Sequence, residues 1–111
     1  MKEIVEFFSK KNLIFKKLYK IDIKLLGSRK KVDIYEGVDT ASNYIAIFKI
    51  DAKSRFLKKN SEEILLLLKK LIKLQNHNYK KKILLVSSPL CSKAKAYLED
   101  LKWKVYNNAV V

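Results

Sequence analysis

The fold of this chain is most constrained by a short segment that is apolar on both sides of the strand it predicts. Within residues 81–87, Ile83, Leu84, Leu85 and Val86 form an unbroken apolar run. A strand of this kind belongs in a sheet that is covered on both faces. Helical patterns flank it, one from Asn60 or Ser61 through residue 74 and one from residues 88–89 through 101. The sequence therefore predicts an α/β fold in which βαβ crossovers join the later strands.

The rest of the chain adds one opening helix and four more strands. The apolar spacing predicts the helix over residues 4–18, with a break near residue 12. Alternating or β-branched patterns predict strands over residues 19–25, 31–35, 44–50 and 103–106, with turn residues over 37–43. The expected order is α-β-β-β-α-β-α-β, a mixed sheet flanked by helices that ends in a helix and an edge strand. No internal repeat or linker composition interrupts it, so residues 1–111 are expected to form one domain.

The charge balance points to a polyanionic partner. Lys and Arg number 25 against 11 Asp and Glu, which gives a formal net charge of +14. Most of these cations lack an acidic partner within the chain, and nucleic acid is the favoured ligand because neutralising its phosphates releases counterions. The alternative is a lysine-rich genome that places Lys wherever a surface position is free.

Several classes of protein are excluded by single residues. The chain has one cysteine, Cys91, so it forms no internal disulfide and no CxxC zinc site. Its one histidine, His77, excludes histidine-rich zinc clusters, and we interpret it as part of a helix stop. We interpret Cys91 as a small, half-buried core residue. The apolar run over residues 64–68 is too short to span a bilayer and residues 1–6 do not resemble a signal peptide, so a soluble, cytoplasmic protein is expected.

Two aspartates and a lysine form the candidate catalytic centre. Asp33 lies within the predicted second strand, Asp51 follows the third, and Lys53 comes two residues later. Because side chains alternate along a strand, Asp51 and Lys53 point to the same side, and a hairpin can bring Asp33 beside them. Paired carboxylates offer Mg²⁺ the oxygen ligands it prefers. The alternative interpretation is that Asp51 ends a strand as a turn residue and Lys53 is one of many surface lysines.

This arrangement resembles the PD-(D/E)xK, or restriction-endonuclease-like, nuclease superfamily. The match is the α-β-β-β-α-β layout with Asp33, Asp51 and Lys53 in the corresponding elements, and the look is closest to archaeal Holliday-junction resolvases. The resemblance implies catalysis by these three residues, with Mg²⁺ or Mn²⁺ at Asp33 and Asp51. It also implies a first-helix glutamate, Glu3 or preferably Glu6. The implied activity is cleavage of branched or structured DNA by a homodimer.

Basic residues flank the motif and are predicted to bind the nucleic-acid backbone. They are Arg29, Lys30, Lys31, Arg55, Lys58 and Lys59. The hydroxyl of Ser28 is a further candidate phosphate contact, and the alternative is that Ser28 only breaks the chain beside Gly27. Lysines at 69, 70 and 73 and at 80–82 are interpreted as solvated surface, whereas the pairs at 10–11 and 16–17 could contact a second duplex arm. Two other functions stay open: a non-catalytic nucleic-acid-binding subunit, as in a tRNA-splicing-type endonuclease, and a protein–protein module.

Overall fold

A computed structural model describes residues 2–11, 13–27, 32–51 and 55–107. The elements in chain order are α1 (Lys2–Ser9), β1 (Phe15–Ile21), a 3₁₀ turn (Ile23–Leu26), β2 (Asp33–Asp39), β3 (Tyr44–Ile50), α2 (Lys58–Gln75), β4 (Lys81–Val86), α3 (Ser92–Asp100) and β5 (Trp103–Asn107). The predicted order of helices and strands is confirmed. None of the helices in the described ranges is long and apolar enough to cross a membrane.

The five strands form one mixed sheet in the order β1-β2-β3-β4-β5. The pairs β1–β2 and β2–β3 are antiparallel, while β3–β4 and β4–β5 are parallel. Parallel neighbours need a crossover connection, which α2 supplies between β3 and β4 and α3 supplies between β4 and β5. The α/β class, the helix-flanked mixed sheet and β5 as its edge strand are therefore as predicted.

Side chains alternate between two apolar layers. On one side, here called the α1 face, Ile4 and Phe8 of α1 pack with sheet residues that include Ile45, Ile47 and Leu85. The opposite side, the α2 face, holds the larger core. Its buried residues include Phe48, Ile64, Leu71, Leu84 and Leu98. As the apolar run in residues 83–86 indicated, β4 is covered on both sides.

Several predicted boundaries are wrong for identifiable reasons. The opening helix ends at Ser9, and residues 15–18 are strand because Phe15 and Leu18 pack on the α1 face. The strand predicted over 19–25 ends at Ile21. A 3₁₀ turn follows, which Asp22 caps at its start and Gly27 ends with φ 69°. Gly37 belongs to β2 rather than to the following turn. Asp33 is consequently the first residue of β2 and not its middle.

The ends of the later helices also differ in part from prediction. Asn60 does not begin α2 as its cap; its Oδ1 accepts the Leu57 backbone N–H at 2.9 Å from inside the first turn. The predicted stop holds, because Asn76 adopts a left-handed conformation with φ 57°. The last helix begins at Ser92, later than predicted, since Leu90 pairs with Phe56 in an isolated parallel bridge.

Candidate functional site

Asp33 lies at the end of the sheet between two lysines on neighbouring strands. It pairs in register with Lys49 of β3, and its Oδ1 accepts an ion-pair contact from Lys20 Nζ at 3.2 Å. This hydrogen bond and the charge of Asp33 raise the pKa of Lys20. Both side chains are about half exposed, so the ion pair stabilises the fold little and remains accessible to a ligand.

Asp51 lies beside the end of β4. Its Oδ1 accepts a hydrogen bond from Ser87 Oγ at 2.8 Å. The Ser87 backbone N–H donates to Ile50 O at 3.1 Å, so the pairing of β3 with β4 continues to this point. Ser87 therefore fixes the orientation of an exposed carboxylate at the carboxyl end of the two strands.

Asp33 and Asp51 are diagonal neighbours across the β2–β3 pair. Asp51 is two residues beyond Lys49, and strand alternation assigns Asp33, Lys49 and Asp51 to the α1 face. Cβ atoms of diagonal neighbours are about 7 Å apart. Two aspartate side chains can bridge that separation through one ion at about 2.1 Å from each oxygen. The donor set, two carboxylates and a nearby hydroxyl, is the hard oxygen type that suits Mg²⁺ or Mn²⁺.

Glu6 is not joined to this pair. It is an exposed residue of α1, the helix that covers the same face. Across the described ranges, no three or more His, Cys, Asp or Glu side chains come close enough to hold a metal ion together. The register therefore assigns two of the predicted carboxylates to one face, and no third one joins them among the side chains that the structure describes, which do not include that of Glu3.

The other sequence-predicted residues divide into two groups. Lys53, Ser28, Arg29, Lys30 and Lys31 lie outside the described residues. Lys58 and Lys59 are exposed in the first turn of α2, and Arg55 is exposed three residues before that helix. The adjoining Phe56 N–H donates to Pro89 O at 2.8 Å, in the loop that follows β4 and Ser87. These three cations are therefore at the same end of the sheet as Asp51.

Sequence reasoning missed Lys20, Lys49 and Ser87. Lys49 carried a usable signal, because it is a lysine inside the apolar run of residues 45–50 and has the parity of Asp51. Ser87 directly follows the apolar run of β4, where a sheet ends. Lys20 had no such signal, since its contact with Asp33 depends on the β1–β2 register.

A second polar cluster is buried at the middle of β2, on the α2 face. Glu36 is 1 % exposed. Its Oε1 accepts a short hydrogen bond from the Tyr79 hydroxyl and lies 3.2 Å from His77 Nε2. Burial, followed by the bond to Glu36, raises the pKa of Tyr79 well above its usual value. The His77 ring stacks on Tyr44 with centroids 3.9 Å apart. His77 therefore contacts Tyr44 and the buried Glu36 in addition to following the residue that ends α2, and it does not contribute to the pair formed by Asp33 and Asp51.

Cys91 lies at the N-terminus of α3. Backbone N–H groups of Ala94 and then Lys93, with the nearby charge of Arg55, lower the pKa of its thiol. The cysteine is half-buried, as predicted, but it is the N-cap residue of a helix as well as a packing residue.

No protein-family model and no curated protein matches the chain. Among solved structures, EndoMS in apo form is similar with a TM-score of 0.54 and 16 % identity, over 96 % of this chain and 44 % of that one. A repair endonuclease from Pyrococcus abyssi is similar with a TM-score of 0.50 and 20 % identity, over 83 % and 38 %. At these identities the likeness shows a shared fold. The chain spans less than half the length of either structure.

Proposed function

We propose that this protein is a metal-dependent endonuclease that hydrolyses phosphodiester bonds in DNA, with branched or structured DNA as its substrate. The observation that carries the proposal is the strand register that makes Asp33 and Asp51 diagonal neighbours on one face, beside Lys49 and Lys20. The net charge of +14 supports a nucleic-acid substrate. The fold shared with two proteins named as EndoMS and a repair endonuclease supports nuclease chemistry.

The residues of the site have distinct parts in this proposal. Asp33 and Asp51 would hold the metal, which would supply charge stabilisation at the scissile phosphate and would lower the pKa of a coordinated water. Ser87 orients Asp51 through its hydrogen bond. Lys49, and Lys20 once released from Asp33, offer positive charge to the phosphate oxygens. Lys53 stays a proposed catalytic residue, and Arg55, Lys58 and Lys59 are proposed to bind the backbone beside the cut.

Asp51→Asn tests the chemistry. The substitution keeps the size of the side chain and removes a metal ligand, so divalent-dependent cleavage of a labelled four-way junction should fall by a hundredfold or more. Binding in EDTA should stay equal or become slightly tighter, because less negative charge opposes the phosphates. Asp100→Asn, at an exposed aspartate on α3, is the matched control and should cleave like the parent. If the parent protein binds nucleic acid but cleaves no duplex, junction or RNA in Mg²⁺ or Mn²⁺, the proposed endonuclease activity is refuted.

That last outcome would favour a non-catalytic nucleic-acid-binding subunit. The specific observation behind this second candidate is that Asp33 is already neutralised by Lys20 at 3.2 Å. A splicing-type catalytic histidine is not favoured, because His77 is engaged with Glu36. The proposed homodimer is tested separately by sedimentation equilibrium of the protein with and without junction DNA.

A further inference from the structure

A lysine-lined groove opens on the sheet away from the two aspartates. It has a volume of about 280 Å³ and includes Leu13, Ile83 and Tyr106 in its lining. The other lining residues, which together define the lysine groove, are Lys11, Lys80, Lys81, Lys82, Lys102 and Lys104. They come from the chain after α1, the start of β4 and the start of β5. Three separate segments therefore assemble one cationic site.

The charge of this groove is almost uncompensated. Within the described ranges, the one ion pair made by a lysine of the groove joins Lys81 Nζ to Asp39 Oδ2 at 3.4 Å. Five further lysines line the same volume. Like charges this close repel one another, and an anion in the groove removes that repulsion. The groove therefore has the electrostatic character of an anion site.

One lysine of the groove is held in position by aromatic rings. Lys11 Nζ lies 5.1 Å from the Phe7 ring centroid and 4.9 Å from that of Tyr106. Tyr106 packs in turn against Phe7 and Phe8 at centroid distances of 5.5 and 5.9 Å. Cation–π contacts of this kind restrict an otherwise flexible side chain. The sequence-based interpretation of residues 80–82 as solvated surface therefore omits the contribution of α1 and β5.

The groove and the aspartates are at opposite ends of β4. Ser87, which contacts Asp51, follows the last residue of β4, whereas Lys81 is the first. Six steps of about 3.3 Å from Lys81 to Ser87 give a separation of about 20 Å along the strand. That length equals about six base pairs of duplex, in which each strand carries one phosphate per 3.4 Å of axis.

We propose that the lysine groove binds backbone phosphates of a nucleic acid about six base pairs from the phosphate at the aspartate site. This inference rests on the proposed function, because the nucleic acid is placed at that site by Lys49 and Lys20, the cations beside Asp33 and Asp51. Lysines act as point charges, so the groove reads the backbone and not the base sequence. Its effect is to fix the register and orientation of the substrate.

The test compares two double variants of equal net charge. Lys11→Gln/Lys104→Gln removes two exposed groove lysines, and Lys69→Gln/Lys73→Gln removes two exposed lysines of α2 as the control. Binding to a 16-base-pair duplex is measured in EDTA at several salt concentrations by fluorescence anisotropy. The groove variant should bind at least tenfold more weakly than the control. Its slope of log K against log salt should be shallower than that of the parent by about 1.8, at 0.9 for each lost phosphate contact.

A 6-base-pair duplex supplies the second arm of the experiment. The five phosphates of each of its strands span only about 14 Å, less than the separation of about 20 Å between the two sites. The parent's gain in affinity from 6 to 16 base pairs should therefore be large, and the groove variant should lose most of that gain. Equal losses of affinity in the two double variants would overturn the proposed role of the groove. So would a groove variant that gains as much affinity from 6 to 16 base pairs as the parent does. Because EDTA removes the metal, these binding outcomes do not depend on cleavage. A parent protein that fails to cleave DNA would refute the proposed nuclease activity, whereas the binding data alone decide whether the lysine groove contacts phosphates.

Discussion

The hydrogen bond from Tyr79 to buried Glu36 provides a quantitative test of what stabilises this fold. Tyr79→Phe removes only the hydroxyl, so the ring continues to fill its place in the core, where it is 6 % exposed. The carboxylate keeps His77 at 3.2 Å as its other partner. A hydrogen bond to a charged group contributes about 1.5–3 kcal/mol net. We therefore expect the free energy of unfolding to fall by about 2 kcal/mol.

Urea unfolding measures this change, with fluorescence of the buried Trp103 as the signal. For a small domain, 2 kcal/mol corresponds to a midpoint shift of about 1 M urea and a decrease in Tm of roughly 8 °C. Tyr19→Phe is the matched control. Its hydroxyl is 3.4 Å from Gln75 Nε2 and its side chain is more than a third exposed, so the expected loss is below about 0.5 kcal/mol.

The result that would refute the reasoning is a Tyr79→Phe variant within about 0.5 kcal/mol of Tyr19→Phe. A thermodynamic cycle with Glu36→Gln locates the effect. If the bond between Tyr79 and Glu36 carries the stability, the two changes are non-additive by about 1 kcal/mol or more. Additive losses would assign the effect to separate packing of the two residues.

Three further measurements probe other parts of the fold. Gly37→Ala should destabilise by about 1–3 kcal/mol, because the added Cβ would lie 2.7 Å from the Phe15 ring; thermal unfolding that matches the parent would contradict this. Hydrogen bonds from the backbone N–H and side chain of Asn43, with others, hold the pKa of Asp39 below its usual range. The stability difference between the parent and Asp39→Asn should therefore be fully present above about pH 4 and disappear as the pH falls through the folded-state pKa, which urea unfolding at pH 5 and pH 3 would show. Iodoacetamide should alkylate Cys91 with a lower pH midpoint in the folded protein than in urea, since its folded-state pKa is lowered; equal midpoints would count against that shift.

The sequence by itself determined the order of the elements and much of the pairing between them. The apolar run of residues 83–86 identified a strand that is covered on both faces, and residue 76 ended α2 as predicted. Alternation also assigned Asp51 and Lys53 to a common side, and a hairpin was expected to bring Asp33 beside them. These inferences depend on periodicity and turn chemistry, which are local properties that a chain carries in consecutive residues.

Only the tertiary structure decided which side chains meet. The β1–β2 register brings Lys20 to Asp33, and the path of the chain after α2 brings Tyr79 and His77 onto Glu36. The lysine groove likewise combines segments that are far apart in sequence. Such contacts have no local signature, because they are fixed by strand register and by the packing of helices on the sheet. For this reason lysines at 80–82 resembled ordinary surface until β5 and the end of α1 were placed beside them.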